Sequence, residues 1–283
     1  MSGPGTHAAE RDAPPLVRYA VEDGVARLTL DDAARMNPLS PQLLRGCLEA
    51  LDAVRADASV RVLLLAANGR GFCAGADLAA MGASLSQSPE PGQPSLGAQT
   101  ARLLDDGGHP LVRGLRALPV PVVCAMHGPV AGGGVGLVLA ADVVVAARSS
   151  YFYLPFVPGL GLVPDMGSVW FLQRAAGRAR TSAFALLGDR LQAEQAVQWG
   201  VIWRCVDDDA LAAEVSGIVR RLAALPAHAV RELRALQAHA ESADLDAQLD
   251  YERDRQHALI DQPEFAEGVR AFLERRAPVF GGR

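Results

Sequence analysis

Three nearly continuous apolar runs of strand length constrain the fold of this chain more than any other feature. They cover residues 60–67, 120–126 and 142–147. A strand that is apolar at almost every position is buried on both faces, as in a parallel sheet that helices cover on each side. Between the runs, residues 41–54 carry an apolar stripe at helical spacing behind a Ser40-Pro41 helix start, and an apolar helix is predicted to end near Ala141. The alternation predicts an α/β fold.

The remaining segments suggest how the chain is organised. Residues 17–30 alternate polar and apolar positions around Glu22-Asp23-Gly24, which predicts a hairpin. Residues 82–108 are rich in Gly, Ser, Pro and Gln and are interpreted as a long mobile loop. Helical patterns dominate after position 191. We therefore expect a disordered tail over 1–15, an α/β core over 16–205 and a helical C-terminal region over 206–283.

Composition excludes several classes of function. All 27 basic residues are arginine, so neither a Walker A phosphate loop nor a lysine Schiff base can form. The net charge of −5 argues against a nucleic-acid partner. The four cysteines form no C-x-x-C pair, so no metal site is expected, and their small number fits a reducing compartment. The longest apolar run is too short to span a bilayer. We expect a cytoplasmic protein with no membrane partner.

Three glycine-rich turns are the candidates for chemistry. They cover residues 71–78, 131–134 and 161–167. Glycine allows close approach of the backbone to a ligand, and a strand that leads through such a turn into a helix leaves amide N–H groups free. Two such turns at one atom would form an oxyanion hole. Each turn alone is more often a tight connection, and Asp165 alone is more often a turn residue. His109 and His127 lack metal-ligand spacing and are interpreted as structural or surface residues.

The order and spacing of these turns resemble the crotonase (enoyl-CoA hydratase/isomerase) superfamily over residues 16–281. Residues 35–40 resemble its early coenzyme A segment, and residues 71–78 and 128–137 resemble its two oxyanion segments. The resemblance implies a spiral of strand–strand–helix units with a helical C-terminal trimerisation region. It also implies that the amide N–H groups of Ala76 and Gly133 hold the carbonyl oxygen of a thioester.

The resemblance further implies an acyl-CoA thioester substrate, with coenzyme A as part of the substrate and no additional cofactor. Residues that match the coenzyme A site are Arg35, Met36, Ala74, Asp77 and Leu78. Phe272 and Arg275 match positions that reach the coenzyme A of a neighbouring subunit. The assembly implied is a homotrimer or a dimer of trimers.

The catalytic carboxylates distinguish the superfamily's reactions. Its hydratases hold a water between two glutamates, and those positions fall here on Gly136 and on Phe156 or Val157. None of these can activate water. Asp165 matches the acid of the superfamily's isomerases, so we predict that it alone moves the proton. The neighbours Leu162, Val163 and Met166 are expected to raise the pKa of Asp165 by burying it.

Several stretches after position 160 resemble the subgroup of isomerases that act on phenylacetyl-CoA-derived epoxides. Two departures bear on the acyl pocket: the first oxyanion segment has Ala76 where that subgroup more often has glutamine, and Ser168 replaces a usual glycine. The aromatic segment 151–156 could favour a ring-bearing acyl group or pack in the core. Two alternatives stay open, which are an enoyl-CoA hydratase of fatty-acid oxidation and a non-catalytic acyl-CoA-binding or RNA-associated paralogue.

Overall fold

The computed structural model describes residues 15–86 and 92–280. The predicted disordered tail lies, except for Pro15, outside the described residues. Nine strands are present among the described residues: β1 (Val17–Glu22), β2 (Val25–Leu30), β3 (Val62–Ala67), β4 (Val122–Met126), β5 (Pro129–Ala131), β6 (Val143–Ala147), β7 (Tyr151–Tyr153), β8 (Arg190–Gln192) and β9 (Arg204–Val206). They form a sheet of order β1-β2-β3-β4-β6-β9 and a smaller sheet of order β5-β7-β8.

Eleven α-helices accompany the strands in the described part of the chain. They are α1 (Pro41–Ala56), α2 (Leu78–Leu85), α3 (Leu96–Leu103), α4 (His109–Arg116), α5 (Gly133–Leu139), α6 (Ser168–Leu187), α7 (Ala193–Gln198), α8 (Leu211–Ala223), α9 (Ala227–Ala240), α10 (Leu245–Ile260) and α11 (Pro263–Leu273). Short π-helical turns lie at Leu104–Gly108 and Phe156–Leu160. The mixed α/β architecture with a helical C-terminal region confirms the predicted fold class.

The sequence patterns explain the large sheet. The predicted hairpin forms, with β1 antiparallel to β2 across Asp23 and Gly24, which both adopt positive φ. The other strands of this sheet pair in parallel. Leu63 and Leu65 face the main core, whereas Val62 and Leu64 face the cluster that α8 covers. Burial on both faces is why these strands are apolar at consecutive positions.

The predicted start of α1 is confirmed. The Ser40 hydroxyl accepts a hydrogen bond from the Leu43 amide at 3.2 Å, and Pro41 occupies the first helical position. The apolar stripe of α1, which includes Leu43, Leu51 and Val54, is buried in the main core. Capping and burial of one stripe therefore position α1 beside the sheet, where its first turn borders the cavity described below.

The interpretation of residues 82–108 as a long loop is wrong for the part that the structure describes. This stretch contains the end of α2, all of α3 and the π-helical turn that leads into α4. Asp77 and Ser95 cap α2 and α3 by accepting hydrogen bonds from Ala80 and Ala98 at 3.1 and 3.2 Å. Side-chain caps and the packing of one face offset the low helical tendency of its glycine and serine residues.

The C-terminal helices follow β9, close to the predicted boundary at position 205. The first of them, α8, packs through Val215 and Val219 on the sheet residues Val62, Val123 and Val145. The side chain of Arg234 in α9 pairs with Asp142 and donates to the main-chain carbonyls of Leu115, Arg116 and Leu118. These contacts fasten α8 and α9 to the core, and the division at 205/206 stays a prediction.

Candidate active site

Two of the three glycine-rich turns lie side by side. Cys73 and Val130 form a parallel bridge, and the Ala131 amide donates to the Cys73 carbonyl at 2.8 Å. Gly75 adopts φ +83°, and a Cβ at this position would lie 2.8 Å from the Ala131 carbonyl oxygen. Gly132 adopts φ +54°, which residues with a side chain rarely reach. Glycine at both positions lets the two turns meet in direct backbone contact.

The predicted oxyanion donors border one cavity. Ala76 and Gly133 both line a mostly apolar space of about 240 Å³. Neither amide donates a hydrogen bond to another residue in the described part of the chain. Gly133 begins α5, so its N–H belongs to the first turn, where no helical acceptor exists. The assignment of these two N–H groups as an oxyanion hole stays a prediction, and their shared cavity supports it.

Asp165 lines the same cavity. Its Oδ1 atom is buried and has no hydrogen-bond partner within the described residues. The same atom lies 3.0 Å from the point where a Cβ would stand on Gly133, so the carboxyl group adjoins one proposed oxyanion donor. Burial raises the pKa of Asp165, and a positive charge on His109 opposes part of that rise.

The predicted cause of this pKa shift needs correction. Leu162 and Val163 are 53% and 78% exposed, so they do not bury the carboxyl group. Met166 is buried and is the only one of the three predicted neighbours that lines the cavity. Asp165 is desolvated by the cavity wall around it, which Met166, Gly133 and Gly108 help to form.

A second carboxyl group in the cavity, that of Asp77, is already engaged. One oxygen of Asp77 caps α2, and the other pairs with the Arg35 guanidinium at 2.7 Å. Both oxygens of Asp77 thus already accept hydrogen bonds, whereas Oδ1 of Asp165 accepts none within the described residues. Among the carboxyl groups that line the cavity, Asp165 is thus the one available for proton transfer.

The structure also explains why position 136 carries no acid. A Cβ on Gly136 would overlap the carbonyl oxygen of Met166 and lie 2.7 Å from its carbonyl carbon. Of the two residues that the resemblance matches to the second hydratase glutamate, Phe156 is buried in the core and Val157 is exposed, and neither lines the cavity. Position 136, which the resemblance matches to one of the hydratase glutamates, therefore has no room for a side chain in this backbone arrangement.

Most of the predicted coenzyme A residues lie beside the first oxyanion turn. The Ala74 amide donates to the Met36 carbonyl at 2.7 Å, and Arg35 pairs with Asp77. Leu78 follows as the first residue of α2 and is 51% exposed. Of the five residues only Asp77 lines the cavity, and the Arg35 guanidinium is joined to it through their ion pair. Its role in binding coenzyme A stays a prediction.

Asn37 holds the main chain of this region in place, a role that was not predicted from the sequence. Its side-chain amide donates to the carbonyls of Asn68, Gly71 and Phe72 at 3.0, 3.2 and 3.1 Å. Asn37 is fully buried and adopts φ +53°. The consecutive left-handed residues Met36 and Asn37 end a 3₁₀ turn and bring the segment alongside the glycine-rich turn. Asparagine before proline was the available signal, since it favours such turns.

The structure does not bring Phe272 and Arg275 to this cavity within one chain. Phe272 lies near the end of α11 and is 83% exposed, and Arg275 follows the helix with φ +54°. Neither residue lines the cavity that contains Asp165. Their predicted contact with coenzyme A therefore requires a neighbouring subunit and stays a prediction.

The structure bears on two further expectations. His109, interpreted from the sequence as a surface or structural residue, also lowers the pKa of Asp165 through its charge. Nothing in the sequence indicated this effect, because the two residues lie 56 positions apart and interact only in the folded chain. The aromatic segment 151–156 does not line the cavity, and Phe152 and Phe156 belong to the main core. The packing alternative is therefore the one that the structure supports. Among residues 15–86 and 92–280, no three metal-binding side chains form a cluster, and no helix could cross a bilayer.

Comparisons with known proteins identify the family of this chain. The enoyl-CoA hydratase/isomerase family model matches residues 20–283, and the chain belongs to this family of enzymes. It is 43% identical over 263 residues to the 1,2-epoxyphenylacetyl-CoA isomerase of Escherichia coli (strain K12), covering 93% of this chain and 97% of that protein. These similarities confirm that the chain resembles the crotonase superfamily and, within it, that isomerase.

Further relatives carry hydratase names. A Rhodobacter capsulatus protein named "Probable enoyl-CoA hydratase" is 35% identical over 94% of this chain and 98% of its own length. A solved structure of enoyl-CoA hydratase from Bacillus anthracis matches with a TM-score of 0.85 at 26% identity, covering 95% of this chain and 100% of that one. Family membership thus leaves the choice between isomerase and hydratase to the site itself.

Proposed function

We propose that this protein is an acyl-CoA isomerase in which Asp165 moves a proton between two carbon atoms of the acyl group. The observation that carries the proposal is the close approach of Met166 to Gly136. Main-chain atoms leave no room for a side chain at position 136, the position matched to one hydratase glutamate, while Asp165 has a buried, unpartnered oxygen. One acid–base group is sufficient for a proton shuttle, whereas hydration needs groups that hold and activate water.

The proposed reaction uses the two turns and Asp165 together. The thioester carbonyl accepts hydrogen bonds from the N–H groups of Ala76 and Gly133. Asp165 removes a proton from a carbon of the acyl group, and the electron pair moves into an enolate whose oxygen the two N–H groups stabilise. The protonated Asp165 then returns the proton to another carbon, which leaves the double bond shifted. Each donor of such a pair typically contributes about 3 kcal/mol to lowering the barrier.

The proposed substrate is a coenzyme A thioester with a compact, ring-derived acyl group. The 43% identity to 1,2-epoxyphenylacetyl-CoA isomerase supports an epoxide of this kind. Arg35, Met36, Ala74, Asp77 and Leu78 would hold the coenzyme A portion, and coenzyme A leaves with the product, so it acts as substrate and not as a resident cofactor. Hydratase activity is the second candidate because relatives carry that name.

We also propose an assembly of three subunits, or of two such trimers, in which Phe272 and Arg275 reach a neighbour's coenzyme A. The exposed position of Phe272 supports this arrangement, since an aromatic ring left 83% exposed is suited to an intermolecular contact. A cytoplasmic location is proposed as well. The four cysteines are free, and Cys47, Cys73 and Cys124 are buried, which fits a reducing compartment.

The test is solvent-deuterium incorporation into 2-enoyl-CoA and 3-enoyl-CoA thioesters and the aromatic epoxide thioester, followed by mass spectrometry. Wild type should isomerise one of them with exchange, and Asp165→Asn should bind the thioester without turning it over. Formation of a 3-hydroxyacyl-CoA would establish a hydratase. Thioester binding with no reaction or exchange would favour the non-catalytic paralogue.

A further inference from the structure

Met166 occupies an unusual place in the fold. It adopts φ +52°, a region that long side chains seldom enter, and its side chain is only 2% exposed. Left-handed backbone at a non-glycine residue costs free energy and persists only where surrounding contacts hold it. Such residues concentrate at functional sites, so the surroundings of Met166 indicate what the strain achieves.

Three glycines on two different segments make room for Met166. A Cβ on Gly108 would lie 2.5 Å from its Sδ atom, and a Cβ on Gly133 would lie 2.9 Å from its Cγ atom. At Gly136, the overlap is with the main chain of Met166. The side chain therefore fills a slot between the start of α4 and the start of α5, and any larger residue at these positions would displace it.

Met166 separates two cavities. On one side lies the space of about 240 Å³ that Asp165, Gly133 and Gly108 line. On the other side lies a cleft of about 1020 Å³ between α4, α6 and α9. Among the residues that the structure describes, Met166 alone lines both spaces. The neighbouring residues Gly108 and His109 line opposite cavities, so the wall continues beside Met166.

The cleft beyond Met166 has a mixed lining of apolar side chains and charged ones, and the charged ones include Arg113 and the Arg234–Asp142 ion pair. Val112, Trp170 and Phe171 line it, and the Trp170 and Phe171 rings meet edge to face at a centroid distance of 5.0 Å. The guanidinium of Arg116 lies 5.5 Å from the centroid of the Trp170 ring and pairs with Glu241, so this cation is already partnered. An apolar chain that passed the position of Met166 would therefore reach aromatic surface.

We propose that Met166 is a specificity-determining residue that forms the end wall of the acyl pocket. The inference rests on the proposed function and extends it to the size of the acyl group. With Met166 in place, the pocket accepts compact acyl groups and excludes long chains. Removing the side chain joins the pocket to the cleft, so each additional methylene of a longer acyl group can be buried against Trp170 and Phe171.

The experiment measures binding of saturated acyl-CoA thioesters from butyryl to dodecanoyl, by titration calorimetry on the full chain. Saturated thioesters cannot isomerise, so the readout does not depend on catalysis. For the wild-type protein, the binding affinity should increase with acyl-chain length only up to a short chain. In Met166→Ala, it should continue to rise by about tenfold for every two methylenes, as expected for about 0.8 kcal/mol per buried methylene.

Two controls isolate the wall. Met166→Leu preserves the side-chain volume and should keep the wild-type limit on acyl-chain length. Leu104→Ala enlarges the pocket from a side that does not adjoin the cleft and should extend the limit only slightly. Met166→Gly removes the same side chain and tolerates positive φ, so it provides a second test if the alanine variant is unstable. Thermal unfolding of each variant checks that it is folded.

The outcomes separate this inference from the proposed function. Thioester binding by all variants with one unchanged length limit would overturn the role of Met166 and leave the isomerase proposal standing. Failure of wild type to bind any acyl-CoA would overturn both. An extended limit in Met166→Ala and Met166→Gly, absent from Met166→Leu, is the result expected.

Discussion

A Cβ on Gly136 would stand 2.7 Å from the carbonyl carbon of Met166, so α5 and the turn after Asp165 are packed backbone against backbone. Real Cβ atoms do not approach other atoms this closely. The contact fixes the position of Asp165 relative to the start of α5. It also leaves no room for a side chain at position 136, so the packing of the fold is consistent with the absence of an acid there.

The first prediction concerns this contact. Gly136→Ala should lower the free energy of unfolding by about 1–3 kcal/mol, because the added methyl group must displace main-chain atoms. Gly136→Glu should destabilise the protein at least as much and should not create hydratase activity. Urea denaturation provides the measurement. Gly217→Ala is the matched control, since its Cβ meets nothing within 4 Å inside α8 and should stabilise by about 0.5–1 kcal/mol. Equal effects of the two alanine variants would contradict the packing argument.

The second prediction links Asp165 to stability. Burial raises its pKa in the folded state, so the fold disfavours the ionised form that prevails in the unfolded chain at neutral pH. This cost is present above the folded pKa and disappears as the pH falls below the unfolded value of about 3.9. Asp165→Asn should therefore stabilise the protein at neutral pH, and the gain should vanish in acid. Thermal unfolding against pH measures it, and the exposed Asp246→Asn should show no comparable gain. A gain for Asp165→Asn that did not depend on pH would contradict the assignment.

The third prediction concerns His109. Proton removal requires ionised Asp165, so activity should fall as the pH drops through the raised pKa of this group. A positive charge on His109 lowers that pKa, so His109→Phe should move the acidic limb of the pH–rate profile to higher pH. Asp105 also faces His109, at 3.5 Å from Nδ1, and stays in place in this variant. His257→Phe, at an exposed position in α10, is the control and should leave the profile unchanged. A limb that did not move in His109→Phe would rule out the electrostatic coupling.

The fourth prediction separates binding from chemistry at Arg35. Its ion pair with Asp77 is partly exposed and should contribute little to stability. If Arg35 also holds a phosphate of coenzyme A, Arg35→Ala should raise KM about tenfold with little change in kcat, which is typical of a lost hydrogen bond to a charged group. Arg204→Ala removes another surface ion pair, that of Arg204 in β9 with Glu214 in α8, and should leave both constants unchanged. An unchanged KM in Arg35→Ala would remove this residue from the proposed binding site.

The fifth prediction tests whether subunits share sites. Phe272→Ala alone should have a raised KM, and Asp165→Asn alone should be inactive. In mixed assemblies, an active Phe272→Ala subunit can receive an intact Phe272 from an Asp165→Asn neighbour. The mixture should therefore show a lower KM than Phe272→Ala by itself, with sedimentation confirming that the subunits have mixed. Identical KM values for the mixture and for Phe272→Ala would mean that Phe272 acts within its own chain or not at all.

Much of the fold could be predicted because local patterns report burial and backbone conformation directly. The hairpin at Asp23-Gly24, the start of α1 at Ser40-Pro41 and the doubly buried strand β3 all follow from a few consecutive residues. The helices within residues 82–108 could not be predicted in this way. Their glycine and serine content suggests a loop, and they form because the caps at Asp77 and Ser95 act together with tertiary packing.

The candidate site, like the fold, could be predicted only in part. The sequence by itself determined that two glycine-rich turns precede helices. The resemblance to the crotonase superfamily is what gave a meaning to the absence of an acid at positions 136, 156 and 157 and pointed to Asp165. Only the tertiary structure decided which groups surround Asp165. It placed His109 near it, exposed Leu162 and Val163, and inserted Met166 between two cavities. The physical reason is that a residue type encodes its own burial tendency and backbone range, whereas desolvation, charge coupling and cavity shape arise from contacts between residues far apart in the chain.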